Sequence, residues 1–338
     1  MIEFKNVTTE YLDDAVTLMT SDYQKACLAC PILAKADAVP NIRRLLTGLF
    51  QNGLGKLALK EGKLIGYLAF FGPWDGFHGN VKGAFSPLGG NSFASAEITG
   101  ISRDKLASML IAAVSDDFVQ RRIFQPAIST YAHDLEIARS LVLNGFGIRC
   151  SDTIMSLEEP APLLTAGAGL DPSFSIREVP LDRRLSLLPL KQGLIKHLSN
   201  APALFPTYLS DELIQGQLTD SDIRYFAAYK GDVPIGYMGV EAEGETFICN
   251  TPHTANICGA YVLPEYRTRG IARAILSYIC ETYRLEGYQL LGEDCETLNP
   301  TALRFWTKYF IPYTYSYIRR FDERIAGYEQ YFEHYFKP

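Results

Sequence analysis

The chain has 338 residues, with 32 Lys and Arg against 38 Asp and Glu, for a net charge of −6. This acidic balance argues against a nucleic-acid partner, whose binding proteins carry a basic footprint, and the length is a prior for roughly two domains. No charge-free apolar run reaches the ~20 residues of a membrane span, and Met1-Ile2-Glu3-Phe4-Lys5 lacks a signal-peptide pattern, so a cytoplasmic protein without a membrane partner is expected.

The first element is an apolar–charged alternation at Phe4-Lys5-Asn6-Val7, followed by a helical pattern. Cys27-Leu28-Ala29-Cys30 has no second ligand pair nearby to complete a four-ligand zinc site, which predicts free thiols. The seven cysteines are scattered, unlike a disulfide framework. Leu57 to Tyr67 reads as a hairpin, with a charged turn at Glu61-Gly62 and a second strand carrying Ile65-Gly66-Tyr67. Phe85 to Phe93 is rich in glycine, but there is no arginine from Val81 to Ser102 and no helix start directly after the glycines. A surface loop is expected there. A helix then ends at Asn144-Gly145-Phe146.

Glu158 to Pro172 holds three prolines and two glycines and reads as a linker. Beyond it the plan repeats. Ile176-Arg177-Glu178-Val179 matches the opening strand, Phe226 to Tyr237 matches the hairpin with its turn at Gly231-Asp232, and Lys308-Tyr309-Phe310 matches Asn144-Gly145-Phe146. The offset drifts one way, from 172 residues between Phe4 and Ile176 to 164 between Phe146 and Phe310. A duplicated domain with small insertions behaves so. The expectation is two α/β domains of one fold, 1–157 and 174–338, joined by a linker over 158–173.

The second copy carries the chemistry. An apolar strand, Ile257 to Leu263, runs into a basic loop, Arg267 to Gly270, and a helix follows at once with Ile271, Ile275, Tyr278 and Ile279 at helical spacing. First-turn N–H groups lack intrahelical acceptors, and the helix dipole favours an anion there. Gly270 lets the backbone approach, Ala272 keeps the first turn small, and Arg267, Arg269 and Arg273 add charge suited to a pyrophosphate. Next comes a strand with an acidic end, Tyr288 to Cys295, in which Glu293 and Cys295 share one face and Asp294 takes the other. Such carboxylates could equally be solvated groups capping a nearby helix. Asn299-Pro300 is a strong helix start on local grounds, leading a helix over Thr301 to Tyr309. At the C-terminus, Tyr328, Tyr331, Phe332, Tyr335 and Phe336 form an aromatic stripe that reads as a docking helix.

Arg267-Thr268-Arg269-Gly270-Ile271-Ala272, preceded by Val262-Leu263-Pro264-Glu265-Tyr266, resembles the acetyl-CoA-binding motif of the GCN5-related N-acetyltransferases (GNAT), which is Arg or Gln, any two residues, Gly, any residue, Gly or Ala. Phe305 to Ser316 resembles bacterial tandem-domain members with a degenerate first half. The resemblance covers Ile176 to about Arg320 well and the N-terminal half loosely. It implies an α/β (α+β) fold of two tandem GNAT-like domains, each a mixed, mainly antiparallel sheet flanked by helices. It further implies acetyl-CoA as co-substrate, no metal, a small-molecule or peptide acceptor whose primary amine attacks the acetyl group directly, and a monomer or homodimer.

The resemblance also implies roles for single residues. Tyr261 and Val262 would hold the pantetheine arm and supply the oxyanion donor. Arg267, Thr268, Arg269, Gly270, Ile271, Ala272 and Arg273 would hold the pyrophosphate, and Asn299 would touch the coenzyme besides capping its helix. The general base is expected at the acidic strand end, at Glu293. The tyrosine that family members carry seven residues after the asparagine is here Trp306, whose indole N–H is too weak an acid. Tyr309 is the expected substitute, with Tyr313 and Tyr315 as alternatives. Substrate-contacting stretches are expected over Lys191 to Thr219 and Glu241 to Asn256. A coenzyme-binding sensor without turnover, or a scaffold, are the rival functions.

Overall fold

The computed structural model describes residues 1–159, 164, 170–204 and 209–327. Most of the expected linker and all of the aromatic stripe from Tyr328 lie outside the described residues. The first half of the chain forms β1 (Ile2–Asn6), α1 (Leu12–Ala29), α2 (Val39–Asn52), β2 (Leu54–Lys60), β3 (Lys63–Trp74), β4 (Gly83–Ser86), β5 (Asn91–Phe93), α3 (Ala96–Thr99), α4 (Arg103–Gln120), β6 (Gln125–Tyr131), α5 (Leu135–Leu143) and β7 (Gly147–Ser156). The second half forms β8 (Phe174–Val179), α6 (Leu188–Ser199), α7 (Asp211–Thr219), β9 (Arg224–Lys230), β10 (Val233–Glu241), β11 (Thr254–Val262), α8 (Ile271–Leu285), β12 (Leu290–Glu296), α9 (Pro300–Trp306) and β13 (Ile311–Ile318). Both expected hairpins form. Glu61 and Gly62 take positive φ values of 54° and 77°, the left-handed pair that a two-residue turn needs to match strand twist.

The chain divides into two compact units. Unit 1 takes Met1–Pro31, Ala38–Arg149 and the chain from Thr314; unit 2 takes Ile32–Asp37 and Cys150–Tyr313. Unit 1 orders its strands β1-β2-β3-β4-β6-β13, with β5 added to β3. Unit 2 orders its strands β8-β9-β10-β11-β12-β7. Each sheet is antiparallel apart from one parallel pair, β4 with β6 and β11 with β12.

The last strand of each sheet comes from the other half of the sequence. β7 follows α5 in the chain but pairs β12, from Ser156 opposite Leu290 to Cys150 opposite Glu296. β13 follows α9 but pairs β6, from Ile318 opposite Ala127 to Thr314 opposite Tyr131. So 1–157 includes a strand of unit 2, and 174–338 includes a strand of unit 1. Periodicity fixes the faces of a strand, not the edge that it joins.

In unit 2, α8 packs Ile271, Ile275 and Ile279 against Phe226, Met238 and Ile257. On a second core, Leu190 of α6 and Ile214 and Leu218 of α7 lie against Tyr225 and Tyr237. The buried arc of α8 also takes in Leu276, Cys280 and Tyr283. Tyr278, expected on the apolar stripe, falls at the rim of that arc and is 40% exposed. No helix among the described residues is long and apolar enough to cross a membrane.

Candidate active site

β11 and β12 are paired over Thr254–Ile257 and Leu290–Glu293. Past Ile257, β11 continues against β10, from Gly239 opposite Gly259 to Gly236 opposite Val262. The register shifts at Gly239/Val240, so Cys258 is the extra residue of a bulge. The opposite edge of Cys258–Val262, Tyr261 included, has no strand beside it among the described residues, and its N–H and C=O groups other than the Val262 carbonyl are open to an extended ligand.

The basic loop folds back on this strand. Arg267 Nε donates to Val262 O at 3.0 Å, and the guanidinium lies 5.4 Å from the Tyr261 ring. Arg269 lies 5.8 Å from the Tyr266 ring. Thr268 and Gly270 both adopt left-handed φ, 63° and 79°, which glycine accepts freely and a β-branched residue rarely does. The Thr268 hydroxyl donates to Arg267 O at 2.6 Å. Gly270 is the N-cap of α8, no side chain caps the first turn, and no acidic residue stands in it. The N–H groups of Ile271, Ala272 and Arg273 therefore face an open, basic loop, which fits a diphosphate.

Beside the parting of β11 and β12 lies a cavity of about 470 Å³. Asp152, Glu241, Glu243, Glu245, Glu293 and Asp294 line it, with Cys258, Asn256 and Tyr313. Asp152 of β7 and Asp294 of β12 are direct cross-strand partners. Like charges in that position oppose each other. Protein surrounds Asp294, but the cavity brings solvent to it, so its carboxylate is accessible. Burial, with Asp152 and Glu245 nearby, raises its pKa to about 8. Burial, then Glu245 and Glu243, raises Glu241. Asn256 Nδ2 donates to Ala242 O (3.1 Å) and Cys249 O (3.2 Å), fixing the loop that carries Glu243 and Glu245. A side chain at Gly292 would run into Asn256 Oδ1 and Cys249 Sγ. Among the described residues no three His, Cys, Asp or Glu side chains gather at metal-binding spacing.

Glu293 stands on the other face of β12, 5% exposed, where Thr153 Oγ1 donates to its Oε2 at 3.0 Å. Burial pushes its pKa well up, Asp294 and Asp152 add to this, and the Thr153 hydrogen bond opposes it. Asn299 caps α9, accepting from Thr301 Oγ1 (2.8 Å) and the Ala302 N–H (3.4 Å). Helix α9 ends at Trp306 rather than at Tyr309, and the Tyr309 N–H turns back to Trp306 O at 2.9 Å. Trp306 is a core residue, 4.7 Å from Phe305 and 5.5 Å from Phe310 between ring centroids. Tyr309 packs on Phe305, 5.2 Å away, and is half-buried. Tyr313 lines the acidic cavity, its hydroxyl 2.7 Å from Thr246 Oγ1 and 3.1 Å from Cys249 Sγ, and burial pushes its pKa well up.

The structure thus brings Tyr261, Val262 and the loop from Arg267 to Arg273 to one strand edge and one helix start. Sequence reasoning missed Asp152 and the gathering of Glu241, Glu243 and Glu245. The alternation Glu241-Ala242-Glu243-Gly244-Glu245 was a usable signal, since it follows a strand inside an expected substrate stretch. Asp152 gave none, because its strand pairs across the sequence halves.

Residues 193–310 match the model of the Acetyltransferase (GNAT) family. The fold is similar to a GCN5-related N-acetyltransferase from Sphaerobacter thermophilus, with a TM-score of 0.59 and 13% identity over 94% of this chain and 95% of that one. It is also similar to a fungal multi-domain GH3 beta-N-acetylglucosaminidase with a GCN5-related glucosamine N-acetyltransferase region, with a TM-score of 0.53 and 13% identity over 94% of this chain and 38% of that one. A tandem GNAT protein from the clavulanic acid biosynthesis pathway aligns with a TM-score of 0.48 and 13% identity, over 95% and 98% of the two chains. No curated protein sequence matches.

Proposed function

We propose, for a chain that belongs to the GNAT superfamily and is an acyltransferase, that unit 2 transfers an acetyl group from acetyl-CoA to a primary amine by direct attack in a ternary complex. The observation that carries this is the uncapped start of α8 behind the left-handed Gly270, next to a strand edge that has lost its neighbour. Acetyl-CoA, when bound, supplies an acetyl thioester. Arg267, Thr268, Arg269, Gly270, Ile271, Ala272 and Arg273 hold the pyrophosphate. The edge at Tyr261 and Val262 pairs with the pantetheine arm and offers an N–H to the acetyl oxygen. Asn299 keeps its capping role and meets the coenzyme from α9.

The acceptor amine arrives as an ammonium and must lose a proton before it attacks. Asp294 opens onto the cavity with a pKa near 8, so at neutral pH a small rise frees a carboxylate to take that proton. Glu293, in the cavity wall and held by Thr153, acts as a second proton-holding group. Tyr313 in the cavity wall, or Tyr309 from its place against Phe305, gives a proton to the departing thiolate, which also leaves unaided at modest cost because its pKa is low.

Calorimetric titration of acetyl-CoA into wild type and Gly270→Trp tests the proposal. Wild type is expected to bind in the micromolar range, and the variant to lose at least a hundredfold in affinity. Absence of binding to wild type would overturn the proposal and leave the scaffold alternative standing.

A further inference from the structure

We infer that the acceptor carries two cationic amines, one acetylated where β11 and β12 part and the other held by Glu241 and Glu245, as in a compact aliphatic diamine or polyamine. The inference rests on the acetyltransferase reading, which puts the chemistry at that parting. It adds the class of acceptor.

Concavity and position mark the cavity as a site before charge is considered. Its volume lies within the roughly 300–1,000 Å³ of small-molecule sites, and Ile257, Cys258 and Glu293, where the parallel pairing ends, are in its wall. Four of the six carboxylates there have no structural partner among the described residues. Glu241, Glu243, Glu245 and Asp294 take no hydrogen bond or ion pair from any described side chain, and among the described residues no Lys or Arg lines the cavity. Lys191 is the nearby cation acting on Glu241. Its ammonium is engaged with Gln217 Oε1 at 2.8 Å and the Tyr225 hydroxyl at 3.1 Å.

One amine does not balance this charge. The reacting nitrogen attacks as a neutral amine, so it ceases to be a counter-ion when the reaction needs it most. The ammonium gives one proton to Asp294, the neutral nitrogen then forms the N–C bond, and as the C–S bond breaks the second N–H proton goes through solvent to the departing sulfur, so that an amide and the free thiol of coenzyme A result. Charge on Glu241 and its neighbours is then matched by a second ammonium that never reacts. The spacing agrees. Glu241 is level with Asn256, which is level with Gly292, so Glu241 stands two inter-strand steps, about 10 Å, from Gly292, on the face that Gly292 shares with Asp294 two residues farther on. All three carboxylates, Glu241, Glu245 and Asp294, line the one cavity, which suits ammonium groups closer together than the backbones that carry them.

Two measurements test this with 1,5-diaminopentane against n-pentylamine. The first is kcat/KM for each amine with acetyl-CoA; the second is calorimetric binding of the diamine to protein loaded with coenzyme A. At least a tenfold advantage for the diamine is expected, carried by KM. It should shrink to within about threefold in Glu241→Gln and Glu245→Gln, with diamine binding weakened in parallel. Equal kcat/KM for the two amines in wild type would overturn the inference, as would an advantage that survives in both variants. Bound coenzyme with neither turnover nor diamine binding overturns it too, while leaving the coenzyme assignment intact. Loss of acetyl-CoA binding itself brings down the underlying function, a result that the same titrations distinguish.

Discussion

In unit 1, β4 and β6 run in parallel as far as Ser86 and Ile128, and β4 then turns away through Pro87-Leu88-Gly89-Gly90. Asn91 reaches across the gap, its Nδ2 donating to Ser129 O at 2.8 Å and lying 3.3 Å from Ser86 Oγ. The Tyr67 hydroxyl donates to Gly89 O at 2.9 Å. Carbonyls that a neighbouring strand would have satisfied are satisfied by side chains instead. In unit 2, β11 and β12 part after Ile257 and Glu293, and the acidic cavity opens beside them. The strand orders are the same and the chemistry at the gap is opposite.

The helix that follows differs in the same sense. At the start of α4 the Asp104 N–H donates to Glu136 Oε1 (3.2 Å) and the Lys105 N–H to Asp104 Oδ1 (2.8 Å). Arg103 is committed to Asp134, at 2.5 Å and 3.1 Å. Carboxylates of the protein thus sit where a phosphate would be bound. At the start of α8 there is neither cap nor acid. One fold can therefore fill its strand gap and its helix start with a handful of its own polar side chains, without losing a strand or a helix.

The comparison presumes that each sheet needs the strand supplied by the other half of the chain. A fragment spanning 158–338 lacks β7, so it exposes the β12 edge from Leu290 to Glu296 and loses Met155 from the core. It is expected to show no cooperative thermal transition by circular dichroism and no acetyl-CoA binding by calorimetry. A fragment that melts cooperatively and binds like the full chain would mean that β7 is dispensable to unit 2.

A smaller effect is expected where Asn91 crosses the gap. Asn91→Ala leaves the buried Ser129 carbonyl short of its donor, which costs about 1–3 kcal/mol. Denaturant unfolding should register that loss, while acetyl-CoA affinity stays within about twofold, because the proposed coenzyme site belongs to unit 2. A wild-type stoichiometry of two acetyl-CoA per chain would contradict the closed state of unit 1.

How much of this could be read from sequence follows from how local each feature is. Arg267 to Arg273 is one contiguous loop and helix start, so the helix beginning directly after Gly270 was legible, whereas the left-handed turn at Thr268 was not. Alternation correctly separated Glu293 from Asp294, since Glu293 is buried and Asp294 accessible. Which of the two faces is open was not legible, because that depends on Asp152 and the loop carrying Glu243 and Glu245. Trp306 was visible as a departure from the family pattern, but its place in the core with Phe305 and Phe310 is a matter of packing.

Asp294 gives the subtlest test. Its folded-state pKa of about 8 lies above the ordinary value of 3.8, so between about pH 4 and 8 the folded chain holds a proton that the unfolded chain releases. Stability from this group is complete below the lower value and is lost as pH rises through the upper one. Asp294→Asn removes the titration, so it should be more stable than wild type at pH 9 relative to the same comparison at pH 5. Solvent in the cavity screens the effect, which leaves a difference of about 2–4 °C in Tm, roughly 1 kcal/mol for a domain of this size. The same change should abolish the rise of kcat/KM through pH 8 that a carboxylate base requires. A Tm difference independent of pH, together with a kcat/KM profile unchanged in the variant, would mean that Asp294 does not titrate in this range and is not the base.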